Sequence, residues 1–199
     1  APPAGSRELL TDAESLKTMA APRWPRPMGG GVTRGLSLPQ PPRRPNPLDA
    51  ITPVTNAMLT RPPEGEWLSW RRTHDAYGFS PLKKINRSNV KSLRVAWSWA
   101  LPRGVNQTAP LVHDGVMFVY GNGDTVQAFD AVRGDLLWQY DRRLPTGVAP
   151  STKRGISIYG MRLYVPTSDA HIVALDVKTG KAVWDAPVAD PKGGYGITG

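Results

Sequence analysis

The pattern A-x-D-x-x-x-G-x-x-x-W stands twice in this chain, at Ala128, Asp130, Gly134 and Trp138 and again at Ala174, Asp176, Gly180 and Trp184, 46 residues later. The offset holds beyond the pattern. Sliding the chain by 46 residues aligns it without a gap from about 114 to 139, so that Phe118 falls on Tyr164, Val119 on Val165 and Val126 on Ile172. Each copy reads as four short strands separated by turns. APLV, VMFVY, TVQAFD and DLLWQY are followed by ISI, MRLYVPT, HIVALD and KAVWDA. A unit of about 40 to 50 residues with four strands is the signature of a β-propeller blade. One blade cannot bury both of its own faces, so the repeat predicts neighbours on either side.

Each repeated position has a physical task. Asp130 and Asp176 can accept from backbone amides of the turn that follows them. Gly134 and Gly180 can supply the positive φ that closes a four-residue hairpin. Trp138 and Trp184 lie on the outgoing strand, where burial of an indole by the next blade contributes on the order of 2–3 kcal/mol. The small Ala128 and Ala174 leave room for a ring close to the backbone.

Upstream of the repeat, LRVAWSWA (93–100) alternates, with Leu93, Val95, Trp97 and Trp99 on one side, and predicts a half-buried strand. TPVTNAMLTRPPEGEWLSWRR predicts a short helical turn and then a tryptophan-rich segment. Residues 1–48 have a different texture. SRELLTDAESLKTMAA suits a short amphipathic helix with Thr11 and Glu14 as a capping box. The stretch after it is rich in proline and glycine, which oppose both helix and central strand. The expected organisation is a Pro/Gly-rich flexible arm over 1–48 and a partial propeller over 49–199. Gly29–Gly31 is not a phosphate loop, because no Gly-Lys-Ser/Thr follows.

Composition excludes several function classes. With no cysteine there is no disulfide, thiolate metal site or cysteine nucleophile. The net charge of +9 is spread in pairs such as Arg43-Arg44, Lys83-Lys84 and Arg142-Arg143, which reads as a solvated surface and not as a nucleic-acid interface. No apolar run is long enough to span a membrane, and no signal-peptide pattern is visible. His74, His113 and His171 share no metal-ligand spacing and are expected to be surface or packing residues. Asp114, Asp124 and Asp169 read as turn residues, with nothing to mark a general base.

The repeat resembles the tryptophan-docking motif of the quinoprotein alcohol dehydrogenases, periplasmic enzymes that use pyrroloquinoline quinone (PQQ) and fold as an eight-bladed propeller. EWLSWRRTHDAYGFSPLKKINRSNVKSLRVAWSW (66–99) is similar to that family's N-terminal segment, and GVNQTAPLVHDGVMF to its blade-opening strand pair. The resemblance covers about residue 52 to the end. It implies an all-β chain holding the N-terminal two to three blades of the ring. Three positions carry over as cofactor contacts. Gln107 stands where the family has an acidic residue before the A/T-P-L-V run. Arg154 in TKRGISIYG matches the arginine that contacts the quinone oxygens. Thr198 in YGITG matches the threonine that bonds a PQQ carboxylate. The vicinal disulfide of many members is replaced by Val148 and Ala149.

The same resemblance assigns no catalytic residue and no metal ligand to these residues. It places a Ca²⁺ or lanthanide site, and the catalytic aspartate, downstream of the matched segment. The expected parent activity is oxidation of a small alcohol to an aldehyde, with electrons passed to a cytochrome c in the periplasm. The chain then works with the remainder of the propeller and is inactive alone. The alternative is a non-enzymatic propeller-repeat scaffold or a truncated remnant.

Overall fold

Both repeats become four-stranded antiparallel sheets in the computed structural model, which describes residues 44–198. The expected helix over 6–21 and the glycine-rich stretch lie outside the described residues. The first sheet is β1 (Leu111–His113), β2 (Val116–Gly121), β3 (Thr125–Asp130) and β4 (Leu136–Asp141), paired in sequence order. The second is β5 (Ser157–Tyr159), β6 (Arg162–Pro166), β7 (His171–Asp176) and β8 (Ala182–Pro187), in the same order.

The offset of 46 residues is kept in the hydrogen-bond register. Leu111 pairs with Phe118 and Ser157 with Tyr164; Ala128 pairs with Trp138 and Ala174 with Trp184. Even the register shift recurs, at Ala128/Phe129 and at Ala174/Leu175. Positive φ recurs too, at Asp114 and Gly160, Asp124 and Ala170, and Gly134 and Gly180.

The turn chemistry follows from the repeated side chains. Asp130 Oδ1 accepts from the amides of Val132 and Arg133, at 3.0 and 2.9 Å. Asp176 Oδ1 accepts from those of Lys178 and Thr179, at 3.1 and 2.9 Å. Each turn closes with a glycine amide on the aspartate carbonyl, Gly134 to Asp130 and Gly180 to Asp176, both 2.8 Å. A carboxylate holding two amides fixes the turn, and the αL glycine lets it end without a Cβ clash.

A lead-in segment seals one side of the pair. Its helix α1 (Pro47–Ala50) is capped by the Asn46 side chain, and α2 (Asn56–Thr60) by the Thr55 hydroxyl. The latter is the short helical turn expected from the sequence. Val54 forms a bridge to Gly160, and Trp67 one to Val112, so the segment touches both sheets. Leu48, Ile51, Val54 and Leu68 join Val116, Phe118, Leu163 and Val165 in one core.

The strand expected over 93–100 does not form. Leu93 and Val95 are exposed, the latter at 86 %, and only Trp97 is half-buried. Alternation specifies a strand only where a neighbouring edge supplies hydrogen bonds and a covering face. Among the described residues none does so here. Trp97 is nevertheless seated: its indole N–H donates to the Ala131 carbonyl at 3.2 Å, and its ring stacks on Phe129 at 6.1 Å between centroids.

Candidate functional site

Tryptophan seating sets how the two sheets meet. The Trp138 N–H donates to the Val177 carbonyl at 2.9 Å, and its ring lies against Gly180 of the second sheet so closely that a Cβ there would stand 2.5 Å from Cε3. Trp97 repeats this arrangement on Gly134. Glycine is required at both turns for two reasons, the left-handed φ and the ring above it.

This packing brings the segments that precede β1 and β5, and the one that follows β8, side by side. Asn106 forms a parallel bridge with Lys153. The Gln107 amide donates to the Lys153 carbonyl (3.3 Å), the Ala109 amide to the Arg154 carbonyl (3.1 Å), and the Arg154 amide to the Thr198 carbonyl (2.9 Å). The three residues singled out in the sequence therefore lie on adjoining backbone segments. Gln107 and Arg154 line a cavity of about 700 Å³, with Leu68, Trp70, His74 and Ile158 among the other walls. Thr198 is tied to Arg154 through its backbone and is not part of that lining.

Arg154 is exposed, and its guanidinium has no hydrogen-bond or ion-pair partner among the described residues. A planar cation of permanent charge, an amide and an indole face around one cavity suit a flat, oxygen-rich anion. Beside Gln107, the Thr108 Oγ1 is buried and has no hydrogen-bond partner among the described residues.

Immediately behind this wall lies a polar cluster that sequence reasoning missed. Lys153 and Asp124 are both fully buried and form an ion pair of 2.5 Å. Lys153 Nζ also donates to Ser151 Oγ (2.8 Å) and to the Ile197 carbonyl (3.3 Å). The Tyr120 hydroxyl lies 2.6 Å from Asp124 Oδ1, and the Ser168 amide donates to Oδ2 at 2.8 Å. Burial pulls the Lys153 ammonium below the ordinary lysine range, against the opposing pull of Asp124. Burial, reinforced by the Asp124 charge, holds the Tyr120 phenol far above its ordinary value, so it stays a donor. Asp169 stands in the β6–β7 turn, as its sequence suggests. It is buried and accepts from Arg142 Nε at 2.7 Å and from the Thr167 hydroxyl at 2.5 Å. The signal available was the Lys-Arg dipeptide itself: in an extended segment one of two neighbours must point inward.

His113 ends β1 and is completely buried, so of the two expected alternatives it is a packing residue. Its Nδ1 lies 2.7 Å from Glu66 Oε2, and its Nε2 lies 2.8 Å from the Thr52 carbonyl. Asp114 Oδ2 in turn accepts from the amide and hydroxyl of Thr52. Glu66, His113 and Asp114 are close enough for one cation, within 4.8 Å of one another. The Thr52 carbonyl can only accept, however, so Nε2 carries a proton, and Nδ1 donates to a carboxylate. The ring is an imidazolium clamp between the lead-in segment and the first sheet. Burial works against its charge, but the bonds to Glu66 and the Thr52 carbonyl and the Asp114 charge outweigh it and raise its pKa above the ordinary value.

Successive four-stranded antiparallel sheets, each joined to its neighbour by an indole seated on a glycine turn, are blades of a β-propeller. The family model for the PQQ-type glucose/ethanol/alcohol dehydrogenase β-propeller domain matches residues 67–185, and the chain belongs to this family. It is 44 % identical over 142 residues to the quinohemoprotein alcohol dehydrogenase ADH IIB of Pseudomonas putida, covering 68 % of this chain and 20 % of that protein. It is 39 % identical over 162 residues to a 1-butanol dehydrogenase (quinone) of Thauera butanivorans, covering 77 % and 26 %. Among solved structures, the quinohemoprotein alcohol dehydrogenase ADHIIG of Pseudomonas putida HK5 superposes with a TM-score of 0.65 at 35 % identity, covering 74 % of this chain and 23 % of that one. A europium-containing methanol dehydrogenase also gives 0.65, at 29 % identity, covering 72 % and 27 %. The chain thus spans about a fifth to a quarter of the length of these relatives.

Proposed function

We propose that this chain forms part of the cofactor wall of a periplasmic, PQQ-dependent dehydrogenase that oxidises an alcohol to an aldehyde and passes electrons to a cytochrome c. The observation that carries the reading is Arg154, without a side-chain partner among the described residues, lining the cavity beside Gln107 in a chain of this family. PQQ, when bound, supplies a two-electron acceptor for the hydrogen removed from the alcohol. Arg154 donates from a planar, permanently charged fork to anionic oxygens and stabilises negative charge that grows on them. Gln107 offers both a donor and an acceptor where an acid would offer only acceptors. Thr198, bonded to Arg154 through its backbone but outside that lining, is the third proposed contact, and Trp70 and Leu68 make part of the wall apolar.

The described residues do not suit a catalytic metal. Their one compact candidate group, Glu66, His113 and Asp114, uses both histidine nitrogens as donors. We assign the Ca²⁺ or lanthanide of the proposed enzyme, and its catalytic base, to residues other than those described.

The test is a PQQ titration of the product of the complete open reading frame that encodes these residues, with and without Arg154→Ala, alongside PQQ-dependent dye reduction by primary alcohols. The reading expects alcohol-dependent reduction by the complete product, none by the 199 residues alone, and a loss of PQQ affinity on the order of tenfold or more in the variant. Unchanged affinity removes Arg154 from the site, whereas no PQQ binding by the complete product favours a scaffold without cofactor.

A further inference from the structure

We propose that the buried Asp124–Lys153 pair is a positioning element for Arg154, holding the edges of the two blades and the segment beyond β8 in the register that puts its guanidinium at the cavity. The proposal rests on the reading of Arg154 as a cofactor contact. Its evidence is where the two ions reach. Asp124 belongs to the β2–β3 turn of the first blade, and its Oδ2 takes the Ser168 amide from the β6–β7 turn of the second. Lys153 opens the second blade, and its Nζ reaches the carbonyl of Ile197 in the segment beyond β8. The ammonium has three protons and three acceptors within reach, Asp124, Ser151 and Ile197, so its hydrogen-bonding capacity is filled.

The neighbours in sequence of these anchors are the site residues. Arg154 follows Lys153, Thr198 follows Ile197, and the Arg154 amide bonds the Thr198 carbonyl. The Lys153 carbonyl also accepts from the Gln107 amide. One lysine therefore holds Gln107 through its backbone and Ile197 through its side chain, while its own side chain is turned away from the cavity and that of Arg154 lines it. The ring of Tyr120 lies 5.2 Å from the ammonium, and its hydroxyl is within reach of two acceptors, Asp124 Oδ1 and the Pro166 carbonyl of β6, for its single proton.

A buried ion pair contributes little net stability compared with an apolar pair of similar size, but removing one partner strands a buried charge. That asymmetry separates a positioning role from a merely structural one. In the complete gene product, Lys153→Met should lower Tm and weaken PQQ binding together. Asp124→Asn/Lys153→Met removes both charges of the pair, and asparagine tolerates the left-handed φ of +59° at that position. The double variant should regain most of the lost Tm but keep an affinity for PQQ reduced roughly tenfold, because methionine does not hold the Ile197 carbonyl. Arg154→Ala sets the scale of a fully lost contact. If the double variant binds PQQ as tightly as the wild type while Arg154→Ala does not, the pair is structural only and the proposal falls. If the wild-type protein does not bind PQQ at all, the assignment of the cavity falls first and the positioning role with it.

Discussion

Trp138 and Trp184 occupy the same place in two copies of one pattern, yet they live in different surroundings. Both pair across the sheet with an alanine, and both approach an aromatic ring at the same offset, Phe118 at 5.9 Å and Tyr164 at 6.0 Å. Trp138 is 8 % exposed, bonds the Val177 carbonyl and rests on Gly180. Trp184 is 41 % exposed, its N–H has no partner among the described residues, and every residue of β8 is exposed. The motif therefore does not bury its own tryptophan. It prepares a ring for the turn of a following unit, and the stabilisation exists only where that unit is present.

The largest test of this contrast is at the receiving turns. Gly180→Val puts side-chain atoms into the Trp138 ring at a φ of +67° and is expected to cost on the order of 3 kcal/mol or more in urea unfolding of the chain. Gly134→Val, under Trp97, should cost less, because Trp97 sits on a segment with no strand partner and can move. Equal losses would mean that the backbone strain, and not the seated ring, dominates. Next in size is the tryptophan pair itself. Trp138→Ala should cost about 3–5 kcal/mol, as large-to-small core changes do, and Trp184→Ala clearly less. If the two substitutions cost the same, the difference in burial has no energetic weight.

The smallest effect concerns the turn that opens each blade. At the position of the His113 clamp, the second blade carries Tyr159, which is exposed. Because the folded-state pKa of His113 is raised above 6.5, its contribution is complete below that pH and is lost as the pH rises through the folded value. Unfolding followed from pH 6 to 9 should show stability falling with pH, and His113→Gln should flatten that slope, whereas Tyr159→Phe should leave it unchanged. A slope that survives His113→Gln would show that another group carries it.

Much of the fold was legible because the repeat is long and each position has a local reason. Asp130 and Asp176 bind the amides expected of them, Gly134 and Gly180 take positive φ, and the eight strands stand where the aligned blocks place them. The expected positions Gln107, Arg154 and Thr198 do fall on adjoining segments. Asp124 and Asp169 are turn residues as expected, but their burial and the role of Lys153 were not legible, because their partners are remote in sequence: Asp124 bonds Ser168 across 44 residues, and Lys153 reaches Ile197 across 44. The segment 93–100 was misread because alternation describes one strand, whereas a strand needs two.

By itself the sequence determined the local geometry of this protein: which residues turn, which alternate, and that a blade-sized unit repeats every 46 residues, since these depend on side chains acting on their own backbone. Only the tertiary structure decided which tryptophan is covered, which lysine is buried and which arginine is left facing a cavity. Those outcomes depend on what the neighbouring blade places opposite, and burial is a property of the pair of surfaces and not of either one.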